Sequence, residues 1–107
     1  MRILEFKVDK QVLRKQPGCD FSDIVANSVG YLKAKFHFSG DEWIGCKKVA
    51  SFWVDDKEYP VLLDDNNMCD IPSESLVGNA FKVSLTGAKS TGYRINTTKF
   101  KVRQEVH

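Results

Sequence analysis

The sequence predicts an all-β protein, a single antiparallel β-sandwich with one short helical turn. Three observations predict it. Apolar residues alternate with polar ones along most apolar stretches, as in strands with one wet face. Clusters of Gly, Asn and Asp punctuate those stretches, at roughly the 8–12-residue spacing of sandwiches and barrels. Helical periodicity is nearly absent. With 107 residues the chain reads as one domain, 1–107, long enough to close one core.

The elements follow in order. "RILEFKV" sets Leu4, Phe6 and Val8 against Ile3, Glu5 and Lys7. The next stretch, "CDFSDIVANSVG", has an Asp/Ser start and a weak apolar period, and offers a turn of helix. "YLKAKFHF" alternates cleanly, with Leu32, Ala34, Phe36 and Phe38 on the core face. "SGDE" then turns the chain, and Trp43 folds back as a plug over one end of the core. "KKVASFWV" is a more buried strand, with Phe52 and Trp53 in the framework. "EYPVLL" carries Pro60, which cannot donate to a ladder and so marks a sheet edge or bulge. "VDDKEY" and "LLDDNNMC" read as hairpin connections. "IPSESLVG" holds about one helical turn, with Pro72 at its start, Ser73 or Ser75 as cap and Gly78 as stop. "AFKVSLTG" puts Phe81, Val83 and Leu85 on one face, and "YRINTTKFKVRQ" is a long final strand.

Catalysis needs converging groups, and the chain offers few. His37 alternates with Lys33 and Lys35 on a wet face, and His107 ends the chain. No HxH, HxxxH or CxxC spacing predicts a metal site. Cys19, Cys46 and Cys69 are odd in number and far apart, so they read as buried free thiols. "GAKSTGY" lacks the upstream glycine spacing and the following helix of a phosphate-binding loop. "DDNNMCD" lacks the glycine and closing glutamate of a calcium loop, and reads as a tight turn. No cofactor, metal or enzymatic activity is therefore expected. No apolar run reaches the ~18 residues of a membrane span, and the N-terminus lacks the apolar core of a signal peptide.

Charge is segregated. Between Asp55 and Glu74 lie seven acids and one base, Lys57, a net of −6 in a chain whose formal net is +2. The candidate partner-binding residues are the first six of those acids: Asp55, Asp56, Glu58, Asp64, Asp65 and Asp70. Lys33 and Lys35 form one basic strip, and Lys99, Lys101 and Arg103 another. Such strips solvate a sheet face or guard an edge. A binder of single-stranded nucleic acid would interleave aromatics with these cations. Only Tyr31 and Tyr93 offer that, which disfavours direct nucleic-acid binding.

The order of motifs resembles a known family. "LKAKFHFSGDEWIGCKKVASFW", "YPVLLDDNNMCDIPSESL" and "FKVSLTGAKSTGYRINTTKFKV" follow one another from about Tyr31 to Val102. The pattern is similar to the N-terminal immunoglobulin-like domain of baseplate upper proteins and related minor tail proteins of phages of Gram-positive bacteria. A bulky aromatic usually follows the proline in that family, where this chain has Ser73. The resemblance implies an immunoglobulin-like sandwich and a non-enzymatic structural role in a phage or prophage, in the virion or the host cytoplasm. The implied partner is a tail or baseplate protein, with self-association through a sheet edge. An alternative uses the acidic segment to block the nucleic-acid channel of a host defence nuclease, as an anti-CRISPR protein would. A third reading makes Trp43 a carbohydrate platform. The expected framework residues are Trp43, Phe52, Trp53, Phe36, Phe38 and Phe81.

Overall fold

The alternation becomes nine strands in a computed structural model that describes residues 1–105; His107 lies outside the described residues. The strands are β1 (Arg2–Asp9), β2 (Val12–Lys15), β3 (Leu32–Ser39), β4 (Lys47–Val54), β5 (Lys57–Leu62), β6 (Met68–Asp70), β7 (Ala80–Ala88), β8 (Arg94–Asn96) and β9 (Phe100–Arg103). The first sheet runs β2-β1-β3-β6. The second runs β5-β4-β7, and β8 and β9 pair with opposite halves of β7. The fold is an all-β sandwich.

The inner faces are those that alternation predicts. Leu4, Phe6 and Val8 of β1 pack beside Leu32, Ala34 and Phe36 of β3. Ala50, Phe52, Phe81, Val83 and Leu85 close over them from the second sheet. Phe6 and Phe36 stack at 5.1 Å between ring centroids, joined edge-on by Phe21 and Phe100. Phe38 is partly buried against this cluster. Trp53 lies outside it. Odd positions of β4 face out, so Trp53 sits half-buried on the outer face of the second sheet rather than in the core.

Five features differ from the sequence reading. β1 pairs with β3 in parallel along all eight residues, within otherwise antiparallel sheets. Period two is the same for both directions, so alternation alone does not choose between them. A short β2, absent from the prediction, forms a hairpin with β1. "LLDDNNMC" is a tight turn, but it hands the chain from β5 in one sheet to β6 in the other. Residues 93–104 are not one strand: they break at Thr97–Lys99 between β8 and β9. Segment 19–30 forms no helix: its backbone pairs elsewhere, with the Ala26 amide donating to Glu105 (2.8 Å) and the Glu105 amide to Ile24 (2.6 Å), while the Arg2 guanidinium donates to the oxygens of Asp20 (2.9 Å), Ser22 (2.6 Å) and Asp23 (3.2 Å).

Among the described residues the single helical element is a 3-10 turn, Ser73–Ser75, preceded by Pro72 as expected. Neither serine caps it. Ser75 instead donates its hydroxyl to the Pro72 carbonyl at 2.7 Å.

Candidate interaction surface

The acidic segment is divided between the two ends of β5. Asp55 and Asp56 are the two-residue turn between β4 and β5, where Asp55 adopts a positive φ of 53°. With Glu74, Lys57 and Val77 they line an open groove of about 400 Å³ at one end of the sandwich. Asp64 and Asp65 lie beyond the other end of β5, beside Lys47 and Lys48. Six residues of β5 separate the groups, roughly 20 Å at ~3.3 Å per residue. Three of the six candidate acids are also engaged within the fold. Asp64 Oδ1 accepts from the amides of Asn66 (2.8 Å) and Met68 (2.9 Å). Glu58 accepts from the Ser51 hydroxyl, and Asp70 pairs with Lys33 at 3.5 Å. The candidate acids are therefore spread along the length of β5 rather than gathered at one end.

Trp43 is 1% exposed, and its Nε1 donates to the Lys10 carbonyl at 2.8 Å. It plugs the sandwich end and ties the turn after β3 to the β1–β2 hairpin. A ring so enclosed offers no platform for a sugar. Cys46 and Cys69 are buried; Cys19 is half-buried, with its Sγ accepting from the Glu5 amide at 3.4 Å. Burial, with Asp70 and Asp64 nearby, pushes the Cys69 thiol up to about 12, so it stays protonated and unreactive at neutral pH. His37 is opposite Lys7 in register, and its Nε2 lies 2.7 Å from Glu5 Oε1 on the outer face of the first sheet. That pair spends the histidine on a cross-strand contact.

A cationic surface emerges on the outer face of the second sheet. Registers set Glu58, Trp53, Lys82 and Lys101 in one row across β5, β4, β7 and β9. The Trp53 Nε1 donates to Ser84 Oγ at 2.9 Å, which fixes the indole against the sheet. Lys99 Nζ lies 3.9 Å from the centroid of that indole. Arg103 adds a further exposed cation along β9. Sequence reasoning found the Lys99, Lys101 and Arg103 strip but not Trp53 or Lys82. Those two reach the strip only through strand registers, which no local motif encodes.

Comparisons with known proteins address the fold. No family model matches the chain, and no curated protein matches it. Among solved structures, the N-terminal domain of phage TP901-1 ORF48 is similar, with a TM-score of 0.55 at 9% identity. The match covers 99% of this chain and 98% of that one. At that identity the likeness is one of fold, and it extends over the whole sandwich.

Proposed function

We propose that this chain is a non-enzymatic structural protein of a phage or prophage tail or baseplate, acting through protein–protein contacts. The fold likeness to a phage protein's N-terminal domain, over nearly the full length of both chains, carries this reading. The order of motifs from Tyr31 to Val102 supports it independently. The side chains that first invite a chemical role are held in structural contacts: His37 with Glu5, Asp64 in its turn, Trp43 in the core. Such a protein acts in the virion or in the host cytoplasm during assembly.

Mass spectrometry of purified virions tests the proposal. The chain is expected among tail components, at a stoichiometry comparable to other baseplate proteins. Its absence from virions, while it is abundant in infected cells, would overturn the reading and favour a host-directed inhibitor.

A further inference from the structure

We infer that the outer face of β9, β7 and β4 docks an acidic segment of a protein partner. The inference rests on the reading of a protein that works by protein–protein contacts, and adds the chemistry of the contact. Lys82 and Lys101 are directly opposite each other on antiparallel strands, and both are exposed. Like charges in that arrangement repel. Among the described residues neither lies in an ion pair. They line a surface depression of about 260 Å³ with Trp53, Asn79 and Asp55. Lys99 on the indole and Arg103 next along β9 raise the local positive charge. An anionic group seated between Lys82 and Lys101 would relieve their repulsion and meet both flanking cations. The carboxylates of Asp55 and Glu58 border this face on the β4–β5 side, so the occupant's charge belongs toward β9.

The state of Trp53 selects among anions. Single-stranded nucleic acid gains much of its affinity by stacking bases on exposed aromatic faces. Here the indole edge is bonded to the sheet at Ser84 and Lys99 sits over one ring face, so a base would have to displace that lysine to stack there. The surface offers cations with its one aromatic ring already engaged by Lys99, which fits carboxylates on a protein segment better than stacked bases.

Titration of the purified chain with a fluorescein-labelled oligoglutamate peptide, followed by anisotropy, tests this. Binding is expected, weakening as salt rises from about 50 to about 200 mM. Lys82→Glu with Lys101→Glu is expected to weaken it at least about tenfold. Lys82→Gln with Lys101→Gln should weaken it less while leaving the circular dichroism unchanged. The same charge reversal at Lys7 and Arg14, opposed across β1 and β2 on the other sheet, should leave binding intact. No binding, or binding indifferent to the Lys82 and Lys101 variants, overturns the inference. So does tighter binding of an oligothymidylate of equal charge with quenching of Trp53, which would make the face a nucleic-acid site. These outcomes are independent of the virion measurement, so a failure of this surface and a failure of the phage-assembly reading are told apart.

Discussion

Trp43 shows what a single residue contributes and how much of it is legible. Its size, next to a turn, was enough to predict a core plug, and it is 1% exposed. Its partners were not legible, because they come from distant segments. Lys10 accepts its N–H, Phe38 meets it at 5.2 Å, and Gly87 leaves room for it. A Cβ at Gly87 would come within 2.8 Å of the Trp43 ring. Trp43→Ala should therefore cost about 3–5 kcal/mol, and Gly87→Ala about 1–3 kcal/mol by overpacking. Urea melts of the two singles and the double would check the contact. In the Trp43→Ala background the Gly87→Ala cost should fall toward zero, because the clashing ring is gone. Additive costs would mean that Gly87 matters for its backbone instead. Cys69 gives a second prediction. Its thiol titrates at about 12 in the fold against an ordinary 9.0. Between those values the unfolded chain has lost a proton that the folded chain keeps, so stability falls as pH rises. Cys69→Ala should lose that alkaline decline, read as a smaller drop in urea midpoint between about pH 8 and pH 10.5. In the wild type, Cys19 should react with a thiol reagent well before Cys69 does.

At the scale of elements, strand positions were readable and strand partners were not. Alternation located β1, β3, β4 and β7 and the faces they bury. It could not show that β1 runs parallel to β3, or that β5 and β6 lie in different sheets, because both depend on long-range pairing. The break between β8 and β9 is the clearest case. "RINTTKFKV" has strand-forming residues throughout, yet its threonines serve two sheets. Thr97 bonds Leu85 on β7 twice, donating its amide to the carbonyl at 3.0 Å and accepting the Leu85 amide at Oγ1 at 2.9 Å. Thr98 then turns to the other sheet, where its amide donates to Gln11 at 2.8 Å and its Oγ1 accepts from the Leu13 amide at 3.2 Å. The two hydroxyls stand in for ladder bonds and clip the sheets together at one edge. Thr98→Ala should leave the Leu13 amide unpaired and cost about 1–2 kcal/mol. Hydrogen exchange at Leu13 should quicken in that variant, and Thr98→Ser should restore protection. Unchanged exchange would show that water replaces the hydroxyl without loss.

For the whole molecule, the sequence showed how charge is distributed along the chain but not where it lies on the surface. A block of −6 reads as one acidic site until β5 carries its two halves to opposite ends, and the surface with the clearer chemistry turns out to be cationic. Both sheets share one apolar cluster, with residues from β1, β3, β4, β6, β7 and β9 in mutual contact. Neither sheet could keep its inner face dry alone, since each would expose its phenylalanines to water. The chain should therefore unfold as one cooperative unit, as small single domains do. The two tryptophans make this testable, because Trp43 reports the core and Trp53 the outer face of the second sheet. Urea unfolding followed by fluorescence of Trp43→Phe, of Trp53→Phe and by far-ultraviolet circular dichroism should give coincident normalised transitions within each variant. A Trp53 signal that moves well before the dichroism would mean that β9 and its neighbours loosen first. The cationic face would then be a separately mobile surface, and the Thr97–Thr98 clip would not be holding the two sheets together.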